Sequence, residues 1–282
     1  MKNPVERILV PLDGSVAADA ALQAIGPLHA IRHPEVLLLG VLEEKGVDSR
    51  LRPHLDFTCN SLRARGVNAS VALREGKPAP QILAFAKEQS VDLIAMSTHG
   101  RGGLARVFLG SVTEEVLRHA EVPLLVCRSG STSGEWTRIM VALDGSETAE
   151  GMLPEAARIA QAVKGTLDLV RVAIPVVAAS GIGEFPLVFP AEDPAPYLKG
   201  VSGRLLAEGV EARAVPLEGR AAASIVERAR ESKAGLICMT THGRSGAARV
   251  LLGSIAEEVL RHAPCPVLLR RLTRAPNPVE AT

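Results

Sequence analysis

Aromatic side chains are nearly missing from the 282-residue sequence, which has one Trp, one Tyr and five Phe. A nucleic-acid groove needs such rings interleaved with basic residues. A basic excess is missing too: 32 Lys+Arg stand against 31 Asp+Glu, a formal charge of +1, so phosphate neutralisation has little to work with. Nucleic acid is therefore not an expected partner. Cysteine is sparse, at Cys59, Cys127, Cys238 and Cys265, with no CxxC pair and no histidine at metal-ligand spacing. Neither a metal site nor a disulfide framework is expected, and reduced thiols suit a cytoplasmic protein. No apolar run approaches the roughly 20 residues of a membrane span. The opening MKNPVERILVPLDGS enters a strand without an apolar signal core, which again points to the cytoplasm and away from a membrane. The GxxxxGK[ST] loop of P-loop nucleoside triphosphatases does not occur.

What is present is a duplication. Ser97–Val126 reads STHGRGGLARVFLGSVTEEVLRHAEVPLLV, and Thr240–Leu269 reads TTHGRSGAARVLLGSIAEEVLRHAPCPVLL, identical at 20 of 30 positions. Arg7–Ser15, RILVPLDGS, returns as RIMVALDGS at Arg138–Ser146. The early motif repeats at an offset of 131 and the later one at 143, so the second copy holds about a dozen extra residues. Ile174–Pro196, rich in Pro and Gly, is where they are expected to form a loop. A period this long marks duplicated domains. We divide the chain into a first domain (1–128), a linker (129–136), a second domain (137–271) and a mobile tail (272–282).

Each copy alternates apolar runs with helical patterns. In the first, strands are expected at Ile8–Leu12, Val36–Leu42, Asn68–Leu73, Asp92–Met96 and Pro123–Cys127. They are apolar almost throughout, as in parallel sheets covered on both faces. Ala149, Met152, Ala156, Ile159 and Val163 trace one helical stripe after Ser146, and Ile82, Phe85 and Ala86 another after Pro78 and Pro80. The fold class is α/β: two tandem open doubly wound domains, each with a five-stranded parallel sheet. Apolar content of 47% suits a packed core in each.

In such a sheet, ligands gather where strand order reverses, beside the carboxyl ends of strands. Asp13-Gly14-Ser15 follows the first strand, and Thr98-His99-Gly100-Arg101 follows the fourth. Gly110-Ser111 then opens a helix whose Val112, Val116 and Ala120 share a face. A helix start offers amides and a positive dipole end to phosphate, with Arg101 or Arg106 able to add charge-assisted contacts. The second copy repeats Asp144, His242, Gly243, Arg244, Gly253, Ser254 and Ile255. Plain capping competes with that reading, because Ser111-x-x-Glu114 and Ser254-x-x-Glu257 both match the capping box. Asp13 and Asp144 suit a turn, with a ribose or adenine contact as the rival reading. His99 and His242 have no nucleophile or metal partner nearby in sequence, so ordering their loops by hydrogen bonding is their expected role.

Two enzyme-like strings fail. Gly100-Arg-Gly102-Gly-Leu-Ala105 mimics the dinucleotide fingerprint, but Ser245 replaces Gly102 in the second copy and the glycines follow the wrong strand. Gly243-Arg-Ser245-Gly-Ala247 lacks the last glycine of a nucleophile elbow. No convincing general base accompanies either, so catalysis is not expected.

Across nearly the whole chain, excluding linker, insert and tail, these motifs resemble the universal stress protein family in its tandem two-domain form. Its nucleotide-binding members carry G-x-x-G, nine residues, then G-[S/T]. Ser97-Thr-His-Gly100 with Gly110-Ser111 fits that spacing, as does Thr240-Thr-His-Gly243 with Gly253-Ser254, with Ser97 and Thr240 in place of the first glycine. The resemblance implies an ATP-binding stress-response regulator, with AMP or ADP as alternatives and Mg2+ accompanying ATP. Pro11, Leu12, Asp13 and their equivalents Ala142, Leu143, Asp144 would border adenosine, and Val41 and Val172 would meet adenine. Gly100, Gly110, Ser111, Val112, Gly243, Gly253, Ser254 and Ile255 would surround ribose and phosphates. It further implies pairing of the two domains through their last strands into a pseudo-dimer, with homodimerisation and an unidentified protein partner also in view. The linker, at most about 28 Å when extended, permits that pairing within one chain. A nucleotide-free interaction or chaperone-like module and a slow ATPase remain alternatives.

Overall fold

A computed structural model describes residues 5–43, 50–98, 109–128, 134–178, 187–189, 192–241 and 252–271. The first copy runs β1 (Arg7–Pro11), α1 (Val16–Ala24), α2 (Gly26–Arg32), β2 (Glu35–Leu42), α3 (Leu51–Ala64), β3 (Ala69–Glu75), α4 (Pro78–Glu88), β4 (Leu93–Ser97), α5 (Ser111–His119) and β5 (Leu124–Cys127). The second runs β6 (Arg138–Ala142), α6 (Glu147–Glu150), α7 (Leu153–Val163), β7 (Thr166–Ala173), β8 (Val176–Ala178), β9 (Leu187–Phe189), α8 (Ala195–Ala207), β10 (Ala212–Glu218), α9 (Ala221–Glu231), β11 (Leu236–Thr240), α10 (Ser254–His262) and β12 (Val267–Arg270).

The strands run in the order β10-β7-β6-β11-β12-β5-β4-β1-β2-β3, one sheet of ten. Within each copy's half of this sheet the pairings are parallel, and the first strand lies between the second and the fourth. Strand order therefore reverses between β1 and β4, and between β6 and β11. Apolar clusters cover both faces, which is why Ile8, Leu9 and Val10 are buried whichever way they point. The helical stripe Ala149, Met152, Ala156, Ile159, Val163 is buried as expected. It is split between α6 and α7, with Pro154 placed in the first turn of α7, where its missing N–H costs nothing.

Duplication extends to backbone conformation. The residues with positive φ fall into pairs at the two offsets: Gly14 with Gly145, His33 with Lys164, Gly66 with Gly209, Gly76 with Gly219, and Ser90 with Lys233.

The expected pairing of last strands is present. β5 and β12 run antiparallel, with Val126 opposite Val267, Leu125 opposite Leu268 and Leu124 opposite Leu269. Each strand would otherwise leave an edge of unpaired backbone groups. On one face α2 packs against α7 across this seam. Because the seam is antiparallel, the carboxyl ends of the two copies' strands lie at opposite edges of the ten-stranded sheet.

Two expectations need correction. The segment Ile174–Pro196 is not purely loop: β8 and β9 pair as a short antiparallel hairpin, Val176 opposite Phe189, and α8 begins at Ala195. Trp136, assigned to the linker by its polar neighbours, is buried in the second domain. Its backbone lies so close to two glycines that a Cβ on Gly165 would sit 2.4 Å from the Trp136 carbonyl oxygen. One on Gly235 would sit 2.3 Å from that of Glu135. The tail and most of the linker lie outside the described residues.

Candidate functional site

At the end of β1, Leu12 is buried and Pro11 and Asp13 are half-buried. The Asp13 carboxylate accepts the Ser15 amide at 2.9 Å, and the Ser15 hydroxyl caps α1 by accepting the Ala18 amide. The second copy repeats this after Ala142 and Leu143. There Asp144 accepts the Ser146 amide at 2.9 Å and its hydroxyl at 2.6 Å, and Ser146 caps α6. Of the two roles open to these aspartates, the turn is realised in both copies. It holds the carboxylates at the strand ends. Val41 and Val172 are half-buried near the ends of β2 and β7, packed against the apolar cluster on the α4–α5 and α9–α10 face.

Buried Thr98 and Thr241 directly follow the fourth strands, β4 and β11. The Gly110 amide donates to the Thr98 carbonyl at 2.7 Å, and the Gly253 amide to that of Thr241 at 2.8 Å. These bonds bring the starts of α5 and α10 back to the strand ends. A Cβ on either glycine would lie 3.2 Å from that same carbonyl oxygen, tighter than ordinary contact, so these two glycines serve the chain's own close approach. Their φ values, −61° and −65°, are open to any residue.

The capping-box expectation is overturned. Gly110 and Gly253 are the N-caps, which have no side chain to cap with; Ser111 and Ser254 are the first helical residues, and both are exposed. A serine one position into the helix cannot direct its oxygen at the amides that an N-cap oxygen reaches. In the first copy the Thr113 hydroxyl instead donates to the Ser97 carbonyl at 3.0 Å; the second copy has Ala256 there. Of the first-turn glutamates, Glu114 pairs with Arg118 and Glu257 with Arg261, one turn toward the carboxyl end. Val112 is half-buried, and Ile255 is 39% exposed. His99, Gly100, Arg101, Arg106, His242, Gly243 and Arg244 lie outside the described residues, so the structure leaves their expected roles where sequence put them.

A polar contact that sequence reasoning missed flanks each Asp-Gly-Ser turn. Asp19 on α1 lies 3.1 Å from the His54 imidazole on α3, and the Tyr197 hydroxyl on α8 donates to Glu150 at 3.0 Å. The two pairs occupy equivalent positions, at the offsets of 131 and 143. That equivalence was readable once the repeat was found, but nothing in sequence says that the two helices meet. The second copy adds more: Glu150 also binds Arg204, and the Arg171 guanidinium stacks over Tyr197 at 5.0 Å and pairs with Glu192 at 2.7 Å. Burial and the Glu150 hydrogen bond push the Tyr197 hydroxyl well above its ordinary pKa, and the charge of Asp144 adds to the shift. The first copy has Gly40 where the second has Arg171.

Each site thus joins a hydrogen-bonded turn, a strand end and a helix start with glycine at its N-cap where strand order reverses, a geometry suited to an anion with a neutral moiety beside it. Among the described residues no three or more potential metal ligands gather, and no helix is long and apolar enough to cross a membrane.

Comparison with known proteins agrees with this fold. A universal stress protein of Mycolicibacterium smegmatis is 24% identical over 295 residues, 94% of this chain and 96% of its own. One from Methanocaldococcus jannaschii is 34% identical over 148 residues, 45% of this chain and 84% of its own. The crystal structure of a universal stress protein from Archaeoglobus fulgidus superposes with a TM-score of 0.71 at 23% identity, covering 95% of this chain and 97% of that one. The model of the universal stress protein family matches residues 4–128 and again 135–271. The chain therefore belongs to the universal stress protein family, with two of its domains in tandem.

Proposed function

We propose that the protein binds adenine nucleotide, ATP or its AMP and ADP forms, as a non-catalytic regulator in the cytoplasm. Mg2+ would accompany ATP. The observation that carries this reading is the start of α5 and α10, each with glycine at the N-cap and each bonded back to the end of the fourth strand. First-turn amides at the positive end of a helix dipole, behind an N-cap glycine that brings no capping oxygen of its own, favour phosphate. The half-buried strand ends around Asp13 and Asp144 offer a flank for the nucleoside. Isothermal calorimetry with ATP–Mg2+, together with mass spectrometry of small molecules released from fresh protein, tests it. Heat of binding at sub-millimolar nucleotide is expected. No heat at millimolar ATP, AMP or ADP, and no co-purified nucleotide, would overturn it.

A second reading, a nucleotide-free interaction module, draws on Ser97 and Thr240. Both are buried and place a Cβ where the family's nucleotide binders have glycine. If it holds, wild-type protein gives no heat with nucleotide and the Ser97→Gly, Thr240→Gly double variant does.

A further inference from the structure

The two sites differ in what stands behind them. In the second copy, Thr241 donates its amide to the Arg270 carbonyl at 3.1 Å, and Thr241 also receives the Gly253 amide at the start of α10. The Arg270 side chain reaches Glu155 on α7 at 2.9 Å, and the other oxygen of Glu155 takes Arg158 at 2.5 Å. Arg158 approaches Asp92 of the first domain at 4.0 Å. Asp92 in turn accepts the amides of Glu6 and Arg7, where β1 begins, at 2.8 and 3.0 Å. Hydrogen bonds and ion pairs thus run from the second helix start, through a carboxylate that is only 4% exposed, to the first strand of the other domain.

The first copy contains the backbone half of this chain and none of the rest. Gly110 binds Thr98, and Thr98 binds the Cys127 carbonyl at 2.8 Å. At the positions equivalent to Arg270, Glu155, Arg158 and Asp92 stand Cys127, Ala24, Pro27 and Gly235. Cys127 is a buried thiol within the apolar cluster, so the residues equivalent to the ionic group carry no charge there. Since the two sites open on opposite edges of the sheet, the charged group sits at the edge where the second site opens. The seam itself is short, three facing residue pairs long, so its geometry at that edge depends on side chains. Glu155 holds both arginines in a largely dry setting, where movement of one partner is costly to the others. The Gly253 amide bond to the Thr241 carbonyl, 2.8 Å, ties the start of α10 to the strand end, so a shift of α10 is felt at Thr241.

We propose that occupancy of the second site, and not of the first, is transmitted to the first domain through Glu155. The inference rests on the nucleotide reading above. Hydrogen–deuterium exchange of the full chain, with ATP–Mg2+ as the probe, tests it at the amides of Glu6 and Arg7. ATP is expected to slow their exchange by about fivefold, the lower range of ordinary coupling between sites. The effect persists in Gly110→Asp, which blocks the first helix start, and vanishes in Gly253→Asp. In Glu155→Gln, ATP still protects Ser254 and Ile255 while Glu6 and Arg7 exchange as they do without ligand. Arg270→Cys, which installs the first copy's residue, gives the same pattern and stands in should Glu155→Gln not fold. A retained response at Glu6 and Arg7 in Glu155→Gln or Arg270→Cys, or its loss in Gly110→Asp, overturns the coupling. Absence of protection at both helix starts in the wild-type protein instead removes the nucleotide reading, and the coupling falls with it.

Discussion

Placing aspartate at both N-caps, in the Gly110→Asp, Gly253→Asp double variant, sets helix stability against ligand binding. Both glycines have the extended φ and ψ of a capping residue, so an aspartate there can accept first-turn amides that glycine cannot. Relative to glycine the cap contributes a few tenths of a kcal/mol, and the negative charge at the dipole's positive end about 0.3–1 kcal/mol. Against this stands the new Cβ, 3.2 Å from the Thr98 or Thr241 carbonyl oxygen, which asks the backbone to give by a few tenths of an ångström. The net effect without ligand is about 0 to +1 kcal/mol per helix. A ligand at a hundred times its Kd adds about 2.7 kcal/mol to the wild type, or roughly 5–10 °C in Tm at this chain size. The aspartates occupy the anion's amides and repel it, so that shift should vanish. Thermal melts followed by circular dichroism, with and without ATP, read both quantities. If the ATP shift survives in the double variant, the helix starts do not hold the phosphates. A loss of more than about 5 °C without ligand would mean that the contacts to Thr98 and Thr241, and not binding, explain the glycines.

Glu155→Ala leaves Arg158 and Arg270, 14% and 19% exposed, without their carboxylate and should cost about 3–5 kcal/mol in urea melts. Glu35→Ala, which removes the exposed pair with Arg7, should cost at most about 1 kcal/mol; equal losses would contradict the burial argument. Gly40→Ala places a Cβ 2.6 Å from Leu55 Cδ1 and 2.9 Å from Leu73 Cδ1, overpacking worth about 1–3 kcal/mol, and an unchanged denaturation midpoint would refute it. Burial pushes the Cys265 thiol from 9.0 up to about 12, and Cys127 and Cys238 shift the same way. The folded state then keeps protons that the unfolded chain releases, so stability should be whole below about pH 9 and decline from there toward pH 12. Urea midpoints that stay flat from pH 8.5 to 10.5, or rapid alkylation of these thiols in folded protein at pH 8, would contradict this.

Much of the fold was legible because its signals are local and were written twice. Continuous apolar runs such as Ile8–Leu12 mark strands covered on both faces. The Asp-Gly-Ser turns mark their ends, and the offsets locate the insert. Resolving the serine at 111 from the glycine at 110 as N-cap was beyond the S-x-x-E pattern, since both registers fit the same letters and only backbone dihedrals separate them. Trp136 read as linker because its neighbours are small and polar; its burial depends on Gly165 and Gly235, which are distant in sequence. The hairpin of β8 and β9 was hidden by the Pro and Gly that also mark loops.

The sequence by itself determined the duplicated α/β plan, the strand ends and the glycine-marked helix starts, because apolar period and turn chemistry act over a few residues. Only the tertiary structure decided that Asp19 meets His54, that Glu150 meets Tyr197, and that Glu155 stands between Arg270 and Arg158 at the seam. Such contacts join residues 3 to 115 apart, and the long-range ones form only after packing and strand order bring their elements together. The same antiparallel joining of β5 and β12 sends the two sites to opposite edges of one sheet and sets the Glu155 ionic cluster behind the second.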